Sequence, residues 1–448
     1  MTVDFKALFE KHLALPEFTI VDYKESETTV HYHIEKKEKP SVCPVCGVYE
    51  PRLRVHGSRE QDVRDINFKN KYTGLILKRK RYKCMECNST FIEPCDSIPE
   101  KARMTSRLRE YIAHEAKRRP FIDLERELDI SNVTIREIFL EEIKSLKSGL
   151  EIETPTFIGI DEIHLDKNYK GRKIAWAVLC NGIDHTVIDM LPNRNKSTIL
   201  EYLKNLKSPW NVEVVTMDMW QPYRDAVYTS LPNASIVIDR YHVVKMANEA
   251  VEKYRKSLKE QLKDRNINLK QEKHLFLYKE ENLDWTNKVF RDAWFSEFPE
   301  FETVYRLKED FFKIYDVAKD KDDGIKMYKA WKKSIPKGIT VFKDLITSLD
   351  NWNTEIFNYF DIRVNDKRIN NAYVEGANSA IRRIEALGIG YDFEVMRAKV
   401  MYCVAHKIEV PEYNSGVFQN MMYNSWQSPK DFGVPFNNLI RAINEGRL

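Results

Sequence analysis

Several things are scarce in this chain. No stretch approaches the ~18 consecutive apolar residues that a membrane-spanning helix needs, and the first residues, MTVDFKALFEKHL, carry acids and lack the apolar core of a secretory signal peptide. Glycine and proline number only 15 and 17 in 448 residues, which excludes collagen-like and low-complexity architectures. An excess of one charge is missing too: 72 basic against 68 acidic residues leave +4, so net charge says little about partners. What is present is 43% hydrophobic and 31% charged residues, ample for buried cores, over a length that suits two to four domains. The expectation is a soluble, intracellular protein.

Charge is uneven along the chain. Between Pro51 and Arg119, 18 Lys and Arg stand against 9 Asp and Glu. The densest part is Lys78, Arg79, Lys80, Arg81 and Lys83, interleaved with Tyr82. A charge run alone is commonly a solvated strand face, but this one lies beside a candidate metal site, which points to a polyanion.

That site rests on four of the seven cysteines, in two pairs, Cys43-Pro-Val-Cys46 and Cys84-Met-Glu-Cys87. Each pair places two thiolates on one tetrahedral metal, and four sulfurs close a structural zinc site. Two disulfides would need an oxidising compartment, for which nothing in the sequence argues. The 37 residues between the pairs read as strands and turns, with strand alternation over Tyr72–Lys83. Cys95 and His56 are expected to be bystanders, and Cys180 and Cys403 core thiols.

After the zinc region the period becomes helical, with Leu108, Ile112 and Ala116 four residues apart. Leu124 and Leu128 form a second stripe, Asp129-Ile130-Ser131 a turn, and Val133, Ile135, Ile138 and Phe139 open another helix, capped by Ser131 or Asn132. Helix, short turn and helix is the outline of a helix-turn-helix, whose second helix can enter a major groove. Asn132, Thr134 and Arg136 would then face bases or phosphates.

Chemistry becomes visible from Thr156 onward. TFIGIDEIHL, RKIAWAVLCNG and HTVIDMLPN suggest an antiparallel meander. Helix, strand, helix and strand follow, ending in ASIVIDRYHVV, which runs into a long helix. This order fits an RNase H-like sheet. Asp161 and Asp218 lie in or at the end of apolar strands, where a carboxylate is costly unless it is paired or binds a cation. With the first and fourth strands as neighbours, both converge on one edge. Two aspartates and one more acid can hold two magnesium ions ~3.5–4 Å apart. Glu162 and His164 alternate with Asp161 and are expected to point away.

The stretches CPVCG, RYKCMECNSTFIEP, ELDISNVTI, GIDEIHL, TMDMWQPYRDAV, PNASIVIDRYHVVK and NAYVEGANSAIRRIEALGIGY follow one another in the order of a known family. In them the chain resembles the bacterial DDE transposases of the insertion-sequence "L-three" (ISL-three) type, with a zinc finger, a helix-turn-helix and an RNase H-like core. The resemblance implies a third acid on a late helix, matched by Glu375, which shares a helix face with Asn378 and Arg382. Asp161, Asp218 and Glu375 are then the catalytic triad, spaced by 57 and 157 residues. Asp239 and His242 match a motif expected to position the scissile strand or tie strand to helix, and Arg382, with Lys207 and Arg224, is a candidate phosphate clamp. The long second gap looks like an all-helical insertion carrying Trp285, Trp294, Trp331 and Trp352, helix-packing residues unless one stacks on an unpaired base.

The expected organisation is a multidomain α/β chain. It has a β-rich extension (1–40), a zinc-binding β module (41–100), a helix-turn-helix (101–150), an RNase H-like core in two parts (151–242 and 364–407) around the insertion (243–363), and a C-terminal tail (408–448). The implied function is metal-dependent cleavage and strand transfer at the terminal inverted repeats of an insertion sequence. Two magnesium or manganese ions and a structural zinc are the implied cofactors. The partners are double-stranded DNA and further copies of the chain, in a homodimer or larger assembly, at the nucleoid in the bacterial cytoplasm. A non-catalytic DNA-binding regulator and a structure-specific nuclease are the alternatives.

Overall fold

Alternation over Tyr72–Lys83 becomes one strand of a long hairpin: β3 (Leu53–Phe68) and β4 (Lys71–Cys84) pair antiparallel, with Phe68 opposite Lys71. The two residues between, Lys69 and Asn70, both have positive φ, 51° and 61°, as the tightest hairpin turns require. The computed structural model describes residues 13–147, 153–165, 174–258, 273–364, 366–369, 371–388 and 390–405. The expected tail, 408–448, lies outside the described residues, as does the side chain of Cys403. Two units divide the chain: Met1–Leu150 with Leu387–Lys399, and Glu151–Ala386 with Val400–Leu448.

In the first unit β1 (Phe18–Glu25), β2 (Thr29–Lys36) and β5 (Thr90–Ile92) complete a sheet of order β1-β2-β4-β3, with β5 on the far half of β4. The halves of β4 bury opposite faces. Leu75 and Leu77 enter a core with Phe18, Ile34 and Val63, whereas Tyr82 and Cys84 enter a smaller one with Cys43 and Phe91. This twist corrects the reading of the basic run. Arg79 points inward, 1% exposed, and donates to the Ile98 carbonyl, so it is a structural residue and no nucleic-acid contact. Lys78 and Lys80 pair with Glu35 at 3.1 and 3.0 Å, and Arg81, exposed, donates to Thr90 Oγ1.

Three helices follow: α1 (Ser106–Arg118), α2 (Phe121–Leu128) and α3 (Asn132–Lys147). Thr105 caps α1 by accepting from Leu108 N. Asp129, in the left-handed region at φ 53°, ends α2, and Ser131 Oγ accepts from Thr134 N at the start of α3. Ile135, Ile138 and Phe139 are buried, but Val133, expected among them, is 65% exposed. It occupies the first turn, on the opposite side from the packed face. Asn132 and Thr134 lie half-buried at the same end. Arg136 does not project freely: Asp392 at 2.7 Å and Glu394 at 3.2 Å hold its guanidinium.

Those acids belong to residues 387–399, expected with the second unit yet packed here through α14 (Phe393–Ala398). Lys399 fastens the segment. Its buried ammonium donates to the carbonyls of Ala116 and Arg119 at the end of α1, at 2.7 and 3.0 Å, and lies 4.9 Å from the centre of the Phe121 ring. A cation on the last carbonyls of a helix is favoured by their shared partial charge.

The second unit is built on β6 (Phe157–Leu165), β7 (Ile174–Asn181), β8 (Val187–Leu191), β9 (Val214–Met217) and β10 (Ser235–Ile238), in the order β10-β9-β6-β7-β8. The β6-β7-β8 meander is antiparallel; β9 and β10 run parallel to β6. Between the strands come α4 (Lys196–Lys204) and α5 (Gln221–Ser230), and β10 runs into α6 (Arg240–Ser257). From there the described elements are helical: α7 (His274–Leu277), α8 (Trp285–Glu297), α9 (Pro299–Val317), α10 (Lys321–Ser334), α11 (Lys343–Asn351) and α12 (Asn353–Asp361). Trp294, Trp331 and Trp352 pack inside them, while Trp285 is 79% exposed. The short pair β11 (Arg363–Val364) and β12 (Lys367–Arg368) leads to α13 (Ala372–Gly388). Among the described residues no helix is long and apolar enough to cross a membrane.

Replacing Lys399 by Met keeps the stem and removes the charged donor. Chemical denaturation is expected to register a loss of roughly 2–3 kcal/mol, the scale of hydrogen bonds from a charged group, and an unchanged midpoint would refute the fastening role.

Candidate active site

The parallel register of β6 and β9 pairs Ile160 with Met217, so the next residue on each strand is an aspartate: Asp161 and Asp218 leave the same edge side by side. Asp161 is largely enclosed, and burial together with the charge of Asp218 pushes its carboxyl up to about 7. Asn378 on α13 donates to Asp161 Oδ2 at 2.7 Å, and the Glu162 amide donates to Oδ1 at 2.7 Å. His242, in the first turn of α6, brings Nε2 to 2.7 Å from Asp218 Oδ1. Burial lowers the imidazole, but the bond to Asp218 and the charges of Asp218, Asp239 and Asp161 outweigh it and hold His242 above its ordinary range.

Glu375 lies one turn before Asn378 on α13 and is exposed. Partial burial of its carboxyl and the charges of Asp239 and Asp218 raise its pKa against the lowering effect of His242. Arg382, on the same helix face, donates to the His164 carbonyl at 2.8 Å. The docking of α13 depends on a glycine. A Cβ at Gly159 would come within 2.3 Å of Tyr373 Oη and 2.7 Å of Val374 Cγ2. Tyr373 in turn shares a hydrogen bond with Thr216 of β9 at 3.1 Å, and Thr216 donates to Asn371 at 2.9 Å.

Other expected residues have structural places. Asp239 is 6% exposed and accepts from Tyr241 N as the cap of α6, which corrects its reading as a DNA contact: the carboxylate is turned into the fold. Arg224 donates to the Asn351 carbonyl and lies 4.2 Å from the Trp352 ring centre, so it braces α11. Glu162 and His164 share one side of β6, 3.0 Å apart, as alternation with Asp161 requires. Glu162 lines a cavity of about 270 Å³ with Asp218, His242, Arg194 and Trp220, and Asp218 reaches it because it stands beyond the end of β9. Sequence reasoning missed Arg194, Trp220 and Tyr223 on this wall. The available signal was position: two of them follow Asp218 within five residues.

The donors that converge here are carboxylate oxygens, the set that suits magnesium or manganese. A carboxyl held near neutrality by burial and a like charge is what a divalent cation would return to its charged form. Among the described residues the acids are not gathered as tightly as the four cysteines. The ligand atoms of Cys43, Cys46, Cys84 and Cys87 all lie within 4.8 Å of one another. Cys43 Sγ and Cys87 Sγ are 3.9 Å apart, close to the ~3.8 Å edge of a tetrahedron of sulfurs ~2.3 Å from a zinc ion. Gly47, at φ 73°, makes the turn after the first pair, and Cys95 stays outside the cluster.

Comparison with known proteins gives matches in both parts of the chain. Residues 158–400 match the family model of the ISL3 DDE type, described as a transposase. Residues 39–87 match the zinc-finger of transposase IS204/IS1001/IS1096/IS1165. The chain is also similar to the transposase for insertion sequence element IS1001 of Bordetella parapertussis, 23% identical over 295 residues that cover 64% of this chain and 71% of that one.

Two measurements follow from the geometry. Purified protein should carry one zinc per chain by atomic absorption; Cys84→Ser should lose it and the protease resistance of the surrounding sheet, whereas a Cys84→Ser protein that keeps both would sink the assignment. Gly159→Ala should cost about 1–3 kcal/mol of stability by overpacking α13 against the sheet, and a neutral result in thermal denaturation would show that the helix can shift freely.

Proposed function

Because the chain belongs to the ISL3 family of DDE transposases, we propose that it binds the terminal inverted repeats of its insertion sequence and cuts and rejoins DNA there with Asp161, Asp218 and Glu375. The observation that carries this reading is the parallel register of β6 and β9, which sets two aspartates at one sheet edge beneath α13. The strand order, an antiparallel meander extended by two parallel strands, supports the reading of this sheet as an RNase H-like core. The helices from α7 to α12 form the insertion between the second and third acids.

Each part of the chain has a role in this scheme. The zinc module, with the exposed Arg81, and the helix-turn-helix of α2 and α3, with Asn132 and Thr134 at the start of α3, hold the duplex; backbone contacts position it and base contacts specify it. Arg136 contributes once Asp392 and Glu394 release it. Divalent cations bound by the three acids would polarise the attacking oxygen and stabilise the leaving one. Asn378 and His242 keep Asp161 and Asp218 in orientation, and Arg382 adds positive charge beside the strand. Hydrolysis at the element's end breaks one P–O bond and leaves a 3′-hydroxyl and a 5′-phosphate. That hydroxyl then attacks a phosphodiester of the target, forming one P–O bond as another breaks, so no protein nucleophile is consumed. Two ends must be joined, so the working form is a dimer or larger assembly on DNA, at the chromosome in the bacterial cytoplasm.

The test uses a plasmid that carries the DNA flanking the gene, with magnesium or with EDTA. Asp161→Asn, Asp218→Asn and Glu375→Gln should each lower cleavage at the repeat boundary by at least about 10³-fold, the scale of losing a principal electrostatic group, while gel-shift affinity for the repeat holds. Binding without cleavage by the wild type would favour a regulator, and scattered cleavage lost in the mutants a nuclease.

A further inference from the structure

Helix α8 has two apolar sides, and only one of them is covered. Trp294 and Phe295 pack inward against Phe276, and Arg291 lies beside Tyr305. On the other side Trp285, Val289 and Ala293 stand at four-residue spacing with Phe290 next to them. All four are exposed, Trp285 by 79%, Phe290 by 58% and Val289 by 48%. One exposed apolar side chain needs no explanation. Three large ones on one helix face, rimmed by the exposed Thr286 and Ser296, mark a contact surface. The helix beneath is fixed at its start by Asp284, which accepts from Asn287 N at 2.7 Å.

This face is complementary to itself when two copies of α8 run antiparallel about a two-fold axis through Val289. In that register Trp285, the largest side chain of the face, lies over Ala293 of the second copy, the smallest. Phe290 meets Phe290 of the second copy on one flank. On the other flank Lys288 falls beside Asp292 of the second copy. Lys288 has no ion-pair partner among the described residues, and Arg291 occupies only Oδ1 of Asp292, so the two charges are open to each other. A parallel pairing would instead set tryptophan on tryptophan, alanine on alanine and lysine on lysine.

The area sets the strength of such a contact. Two tryptophans and two phenylalanines, at ~150–250 Å² each when fully covered, fall short of the ~1,200–2,000 Å² of a stable interface. The contact is therefore weak between free molecules, and holding two copies on DNA raises its effective concentration.

We propose that the outer face of α8 is the surface through which two copies of this chain pair, antiparallel about Val289, when each holds one end of the element. The proposal rests on the transposase reading for the two ends and names the contact that brings them together.

The experiment adds one cysteine at a time to the full-length protein, binds it to terminal-repeat duplex with magnesium omitted, oxidises mildly and maps disulfides by mass spectrometry, with the wild type as control for the native thiols. Val289→Cys is expected to link to its own copy, and Trp285→Cys to a mixed-in Ala293→Cys protein. Trp285→Cys is expected not to link to itself, because at ~1.5 Å per residue the two positions stand ~12 Å apart along the helices, beyond the ~7 Å limit of a disulfide. Trp285→Ala should lower the yield of joined element ends about thirtyfold, the scale of a lost interface tryptophan. Its affinity for a single repeat and its denaturation midpoint should hold, since the side chain is exposed. Val289→Cys that links no better than the wild type, or Trp285→Cys that links to itself, overturns the proposal. So does a Trp285→Ala change that weakens binding to a single repeat while linking through Val289→Cys persists, which would make the face a DNA surface. Linking needs no cleavage: a protein that links but does not cut at the repeat boundary keeps the pairing and loses the catalytic reading, and one that cuts there without linking does the reverse.

Discussion

Two carboxylates held side by side, Asp161 within β6 and Asp218 just past the end of β9, are the constraint around which the second unit is arranged. Hydrophobic burial of β6 and β9 forces Asp161 and Asp218 together, since Ile158, Ile160, Val215 and Met217 are fully enclosed and the register cannot slip without exposing them. The repulsion is relieved by neighbours: Asn378 donates to one acid and His242 sits on the other.

The third acid depends on a different piece of packing. Glu375 follows Asp218 by 157 residues, so nothing local aligns them. What does is the seat of α13, where the missing side chain of Gly159 admits Tyr373 and Val374. The intervening helices bring Phe276, Phe301, Tyr305 and Trp294 together in one buried cluster that is continuous with the strands of the sheet. The buried ammonium of Lys308, bonded to the carbonyls of Phe276 and Tyr278, joins two of those helices from within.

In the first unit, charge is allocated with equal economy. Lys78 and Lys80 are already shared with Glu35, Arg79 is interior, and Arg136 is held by two acids from residues 387–399. Positive charge in the sequence is therefore a poor guide to positive charge available for DNA. Zinc on the four cysteines would hold the hairpin's far end around a core of few residues, where apolar burial alone would be marginal.

Much of this was legible in the residues. Strand and helix periods, the spacing of the two cysteine pairs, the cap at Ser131, and acids in or at the end of apolar strands are local features, and local sterics and hydrogen bonding decide them. Even the neighbour relation of the first and fourth strands followed from the order of elements. Tertiary structure alone decided which face of each element is covered at each point. A period of two says that Arg79 and Arg81 share a side, but only the twist of the hairpin buries one and exposes the other. Asp218 reached the cavity that Glu162 lines because it stood past the end of β9, and residues 387–399 joined the first unit because Lys399 met the open carbonyls of α1. Each of these outcomes depends on contacts between residues far apart in the chain, whose energies no local pattern contains.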